Sequence, residues 1–120
     1  MKILAIPGSP RPKASNTEIL LQEFLKGAQS QGAETETIYL KEKNIHSCTG
    51  CYTCWAKTPG VCIFKDDMAE LLEKVRSCDI LVYATPLYNY NMTSLLKAFQ
   101  ERLLPLVDPH LVKTGEAYRH

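Results

Sequence analysis

No stretch of this chain approaches the ~20 consecutive apolar residues that a helix needs to cross a bilayer. The apolar start, Ile3 to Ile6, is too short for the core of a secretory leader and runs into Pro7-Gly8. No membrane partner is implied, and a cytoplasmic location is expected. An excess of charge of one sign is also missing. The formal net charge is +1, and no basic run interleaves with aromatics, so nothing points to nucleic acid or an anionic surface. There is no internal repeat and no low-complexity tract. At 120 residues, with 45% apolar and 22% charged residues, the chain reads as one soluble globular domain. The phosphate-binding signatures G-x-x-x-x-G-K-[ST] and G-x-G-x-x-G do not occur, which disfavours a nucleoside triphosphate or a Rossmann dinucleotide.

Cysteine, by contrast, is concentrated. Four of the five cysteines fall within fifteen residues, Cys48, Cys51, Cys54 and Cys62, spaced C-x2-C-x2-C-x7-C. In a cytoplasmic chain such a cluster reads first as metal ligands or redox groups rather than a disulfide framework. C-x2-C-x2-C lets a curled backbone aim three sulfurs inward, and the Thr58-Pro59-Gly60 turn brings the fourth back. An iron–sulfur cubane needs four thiolates around one small volume, and the seven-residue gap leaves room for Cys62 to close the same cluster. Structural zinc usually takes its thiolates from two separated C-x2-C knuckles. Zinc, a dithiol pair and metal-free thiols remain the alternatives.

Periodicity places the other elements. Residues 2–7 are a short apolar run ending at a turn, hence a buried strand. Ser15 and Glu18 form an S-x-x-E capping box before a helix over 16–31, whose apolar stripe is Leu20, Phe24 and Ala28 with Leu21 and Leu25 beside them. Gly32 stops it. Residues 34–40 read as an edge strand with a polar first half. Asp67 and Glu70 are a box-like start for a second helix, carrying Leu71, Leu72 and Val75 on its apolar side. Ile80 to Ala84 is a continuous apolar run, as in a parallel strand covered on both faces. A third helix spans 93–104, stopped by Pro105, and a polar tail follows. This β-α-β-(cysteine loop)-α-β-α order predicts a doubly wound parallel sheet, with ligands beyond the carboxyl ends of its strands.

Two loops leave strands at that end. Residues 8–15 offer serine hydroxyls, the Arg11 guanidinium and the free N–H groups of a helix start, a set suited to a phosphate. Residues 86–92 carry two tyrosines, two asparagines and a methionine, suited to a planar conjugated ligand.

Gly8-Ser9-Pro10-Arg11 with Ser15-Asn16-Thr17, and Ala84-Thr85-Pro86-Leu87-Tyr88, resemble the two FMN-binding loops of the flavodoxin-like NAD(P)H-dependent FMN reductases. The cysteine segment resembles that of the iron–sulfur flavoprotein branch of this superfamily, and the likeness runs from the first strand to the third helix. It implies that Ser9, Arg11, Ser15, Asn16 and Thr17 hold the FMN phosphate. It implies that Pro86, Leu87, Tyr88, Asn89 and Tyr90 wrap the isoalloxazine, and that the four cysteines ligate one [4Fe–4S] cluster. Residues 1–120 would then be a flavodoxin-like domain with a cluster-binding loop at about 44–65. Its sheet would be incomplete, three strands in the order 2-1-3 of the usual five. The third strand would be an apolar edge, so a homo-oligomer covering it is expected. The implied activity moves electrons between NAD(P)H, or a ferredoxin-like donor, and an acceptor. The contrasting possibility is a zinc-stabilised or metal-free binding domain without redox activity. No side-chain acid or base is assigned as catalytic. Cys78 reads as a packed residue, Trp55 as a shield for the cluster or a subunit contact, His46 and His110 as surface or hydrogen-bonded, and Asp66 and Asp67 as helix caps.

Overall fold

The structure, a computed structural model, describes residues 1–119. β1 (Lys2–Pro7), β2 (Glu34–Thr37) and β3 (Ile80–Ala84) form a parallel sheet in the order β2-β1-β3. Lys2 lies opposite Glu34 on one side of β1, and Ile3 opposite Ile80 on the other. This is the flavodoxin-like 2-1-3 arrangement, holding three of that fold's five strands. The helices are α1 (Asn16–Ser30), a single turn α2 (Thr53–Ala56) inside the cysteine loop, α3 (Met68–Ser77) and α4 (Ser94–Glu101).

The central strand decides the layering. Alternate side chains of β1 point to opposite faces, and both faces are buried. Leu4 and Ile6 pack with Ile38, Leu40, Met68, Leu71, Leu96 and Phe99, which brings α3 and α4 onto one face. Ile3 and Ala5 pack with Leu21 and Leu25 of α1 on the other. Each of the leucine, isoleucine, methionine and phenylalanine side chains contributes roughly 1.5–3 kcal/mol by leaving water.

Several expectations need correcting. The α1 stripe faces the sheet through Leu21 and Leu25, while Leu20 is 73% exposed and Phe24 51%. They overhang the β3 side of the sheet, where the described chain supplies no further strand or helix to receive them. For the same reason β3 is not covered on both faces: Ile80 and Tyr83 remain exposed. The second strand ends at Thr37 rather than residue 40. Ile38 still donates its N–H to the Ala5 carbonyl (2.9 Å), but the chain then tightens into a 3-10 turn, Leu40–Glu42, that buries Leu40. The capping box is half formed: Ser15 Oγ accepts from the Glu18 N–H (3.2 Å), whereas the Glu18 carboxylate turns to Gln22 and the Tyr39 hydroxyl. Asp67 does not cap α3, because its carboxylate accepts from the Asn44 N–H (2.7 Å). The third helix ends at Glu101, and Pro105 sits buried in a 3-10 turn, Leu104–Leu106. The polar tail contains a hairpin, β4 (Val112–Thr114) with β5 (Ala117–Arg119), turned at Gly115.

Gly8 ties the sheet to α4. Its N–H donates to the Ala84 carbonyl (2.8 Å), and its own carbonyl accepts the Thr93 hydroxyl (2.6 Å). Thr93 is buried, and the same Oγ1 caps α4 by accepting from the Leu96 N–H (3.3 Å). The backbone therefore passes so close that a Cβ on Gly8 would lie 2.7 Å from Leu96 Cβ and 2.9 Å from Thr93 Oγ1. Gly8→Ala is expected to destabilise the fold by about 1–3 kcal/mol through overpacking. Thr93→Val should cost a similar ~1–3 kcal/mol by leaving the Gly8 carbonyl and Leu96 N–H without their partner. Urea denaturation curves of the two variants check both values.

Candidate functional site

The two loops proposed from sequence do meet. Pro7 and Ala84 are register partners at the ends of β1 and β3, so the chain leaves both strands side by side. Asn16, Thr17, Leu20, Phe24, Thr85 and Pro86 then line one open crevice, together with Leu21, Val82, Tyr83 and Ala84. In the first loop Ser9 is buried, and its hydroxyl accepts from the Arg11 N–H (3.2 Å) and donates to the Arg11 carbonyl (3.3 Å). Ser9 and Ser15 thus spend their hydroxyls shaping the loop and starting the helix. The first-turn N–H groups of Asn16 and Thr17 have no intrahelical acceptor, and Arg11 is exposed. In the second loop Tyr88 and Asn91 exchange both backbone hydrogen bonds around a tight turn, N–H to O at 2.8 and 3.0 Å. The turn forces positive φ on Asn89 (47°) and Tyr90 (63°), which is costly for an aromatic residue. Leu87 and Tyr90 stand out from the fold, Tyr90 at 93% exposure.

The second centre lies at the other end of α4. Cys48, Cys51, Cys54 and Cys62 all line one largely apolar cavity, with Tyr52, Ile63, Phe64, Arg102, Leu104 and Pro105 among its walls. Three left-handed residues curl the loop around it: Gly50 (φ 66°), Tyr52 (φ 52°) and Gly60 (φ 81°). The Gly50 N–H points at Cys48 Sγ (3.5 Å). The Thr58–Val61 turn closes with Val61 N–H to the Thr58 carbonyl (2.9 Å), and Gly60 N–H reaches the Cys54 carbonyl (3.0 Å), which returns Cys62 to the group. Trp55 pins the loop to the body by donating its indole N–H to the Leu104 carbonyl (3.1 Å).

The thiols are not equivalent. Cys51 is exposed, and the hydroxyl and N–H of Thr53 hold its thiol below the ordinary range. Burial pushes the Cys54 thiol up, and the neighbouring sulfurs of Cys62, Cys48 and Cys51 add to the rise. Among the described residues, no three His, Cys, Asp or Glu side chains are grouped as ligands of a single metal ion. The donor set, four thiols of one loop on a shared apolar cavity with backbone and guanidinium N–H groups at hand, fits a thiolate-held iron–sulfur cluster.

Arg102 is the residue that sequence reasoning passed over. It follows α4 and is only 1% exposed. Its guanidinium grips the Asp66 carboxylate with two hydrogen bonds, 2.7 and 3.0 Å, and also donates to the His46 carbonyl (2.7 Å). Phe64 lies under it, with the ring centroid 5.2 Å from Cζ, and the His46 ring stacks on Phe64 at 3.9 Å. Burial works against the charge on Arg102, but Asp66 and the adjacent Cys62 outweigh it and raise the guanidinium pKa further. Burial would likewise raise Asp66; the Arg102 guanidinium and the N–H groups of His46 and Met68 reverse the sign and hold the carboxyl below its usual range. The sequence signal was a charge on an apolar face, since Arg102 falls three residues after Phe99 and seven after Leu95. Asp66 therefore clamps the cysteine loop, while its contact with the Met68 N–H (3.1 Å) is secondary. Cys78 is half-buried against the core, as expected, and His46 and His110 are surface residues with local partners.

Sheet order, helices on both faces and a crevice beyond the strand ends define a flavodoxin-like α/β protein. Residues 1–113 match the NADPH-dependent FMN reductase family, and the chain belongs to it. It is 42% identical over 105 residues to an iron-sulfur flavoprotein of Archaeoglobus fulgidus, covering 88% of this chain and 46% of that protein. To an iron-sulfur flavoprotein of Methanocaldococcus jannaschii it is 38% identical over 106 residues, covering 88% and 53%. Among solved structures it superposes on RosB, crystallised with 8-demethyl-8-formylriboflavin-5'-phosphate, at a TM-score of 0.73 and 27% identity, over 94% of this chain and 45% of that one. The chain spans about half the length of the curated relatives it matches.

Removing the carboxylate of Asp66 should leave a buried charge unpaired. Asp66→Ala is expected to cost about 3–5 kcal/mol, whereas Trp55→Phe, which deletes one neutral hydrogen bond, should cost only about 1 kcal/mol. Guanidinium-chloride unfolding of the metal-free protein separates the two.

Proposed function

We propose that this chain carries the FMN- and [4Fe–4S]-binding part of an oxidoreductase that moves electrons between NAD(P)H, or a ferredoxin-like donor, and an acceptor. The observation that carries the reading is the pairing of two centres on one helix. The two loops of the crevice converge at the N-terminus of α4, locked by Thr93, and the four-cysteine cavity sits at its C-terminus. The helix between the Thr93 lock and Arg102 has eight residues and is about 12 Å long. When bound, FMN supplies one- and two-electron chemistry and the cluster one-electron chemistry.

The residues' own roles follow from their placement. Ser9 and Ser15 hold the first loop and the start of α1 in shape. The N–H groups of Asn16 and Thr17, at the positive end of α1, and the Arg11 guanidinium bind a phosphate dianion. Thr17 can add its hydroxyl. Pro86, Leu87, Tyr88, Asn89 and Tyr90 would wrap a flat ring system. Cys48, Cys51, Cys54 and Cys62 hold the cluster, and the apolar walls keep water from it. An assembly of copies that covers β3 belongs to the same reading. It is supported by the exposed apolar residues Ile80 and Tyr83 along that edge.

Anaerobic reconstitution should give a brown-yellow protein with about four iron atoms and one flavin per chain, and NAD(P)H should bleach the flavin band. Cys54→Ser should lose most of the iron while keeping the flavin. Arg11→Ala should weaken FMN binding roughly tenfold to a hundredfold, the worth of one charge-assisted hydrogen bond, as read by recovery of flavin fluorescence. A colourless protein holding one zinc ion per chain would overturn the proposal.

A further inference from the structure

We infer that Arg102 is the charge-balancing residue of the four-cysteine centre, built to stabilise the more negative, reduced state of a cluster held there; the inference rests on the cluster reading above. Three observations carry it. Arg102 is 1% exposed and lines the cavity that the four cysteines share. Its two terminal nitrogens are committed to Asp66 and the His46 carbonyl, which fixes the plane of the guanidinium. Its Nε–H is buried and has no partner among the described residues.

A buried polar N–H without an acceptor is rare and costly, on the order of 1–3 kcal/mol, and asks for an explanation. An anionic sulfur in the cavity supplies the acceptor. Four thiolates around a cubane leave the whole centre negative, and reduction adds one further negative charge without making or breaking a covalent bond. A fixed positive charge in a low-dielectric wall favours that state, so hydrogen bonds and charge near the sulfurs raise the potential. Asp66 has the opposite sign, but it is bonded to the terminal nitrogens of the guanidinium rather than to Nε, and to the His46 and Met68 N–H groups. It holds Arg102 in place and partly offsets it. An alternative use of Arg102 as a pure clamp explains the Asp66 and His46 bonds but leaves Nε–H unused.

The test is a redox titration of the reconstituted holoprotein, reduced by dithionite one electron per cluster and followed by electron paramagnetic resonance. Asp66→Asn removes the offsetting charge and should raise the potential. The double variant Arg102→Met with Asp66→Asn removes both charges and should lower the reduction equilibrium constant about tenfold, about 59 mV for a one-electron couple. A merely structural clamp would give no such opposite pair of shifts. Reduced wild-type protein labelled with 15N in the arginine guanidinium should also show a 15N coupling to the cluster spin, a readout that requires no substitution to fold. Variants that keep their iron with an unchanged potential overturn the inference. If neither variant folds, absence of the 15N coupling overturns it and its presence supports it. Wild-type protein that takes up no iron overturns the cluster reading, and this inference with it.

Discussion

A single guanidinium joins the cysteine loop to the sheet domain. Arg102 reaches from the end of α4 to Asp66 and to the His46 carbonyl, and the two charged side chains meet out of water. Burying an arginine is expensive, and a buried pair of opposite charges roughly breaks even against its desolvation. The pair therefore does not explain stability so much as geometry. It dictates where the loop of residues 44–65 sits, because any other placement would leave a charge stranded. Trp55 and Asp67 add two further ties of ordinary strength, to Leu104 and Asn44. With the loop ends held, three left-handed residues and the turn at Gly60 bring four cysteines, spread over fifteen positions, around one cavity.

The same helix organises the other centre. At its N-terminus Thr93 bridges Gly8 of the first loop and the first turn of α4 through one hydroxyl. This contact needs a glycine at position 8 for reasons of space alone. α4 is therefore gripped at both ends, by a neutral hydrogen bond to one loop and by a buried ion pair to the other. A displacement of the helix would be felt at both the crevice and the cysteine cavity. The open side of the molecule is the β3 edge, where Leu20, Phe24, Ile80 and Tyr83 expose apolar surface. Leu20 and Phe24 stand on a helix whose sheet-facing side, Leu21 and Leu25, is buried, whereas every residue of β3 keeps some exposure.

The sequence reading was sound where a local rule decides. The apolar run of β1, the Ser15 cap, the Gly32 stop and the parallel order all depend on neighbours in the chain, and they appear as expected. It was weaker where two acceptable local solutions compete. Glu18 could close a capping box or bond Tyr39, and the Tyr39 hydroxyl, 21 residues away, won. Its phenol consequently titrates high, at about 12, because the Glu18 carboxylate accepts its proton's hydrogen bond and burial adds to the rise. Asp67 could cap α3 or receive the Asn44 N–H, and the tie to the loop prevailed. The α1 stripe was wide enough to offer two faces, and only the position of the sheet chose Leu21 and Leu25 over Leu20 and Phe24.

The sequence by itself determined that a parallel α/β sheet carries an inserted loop of four closely spaced cysteines, and that two loops suited to a phosphate and a flat ring follow the first and third strands. Those features are written in periodicity, turn residues and spacing, which act over a few positions. Only the tertiary structure decided what stands against them. Arg102 is 36 residues from Asp66 and 56 from His46, and Thr93 is 85 from Gly8. No local pattern records such partnerships, because they arise when the sheet brings distant segments out of water together. There each buried donor must find an acceptor, and the Nε–H of Arg102, which has none among the described residues, faces the question of what the cysteines hold.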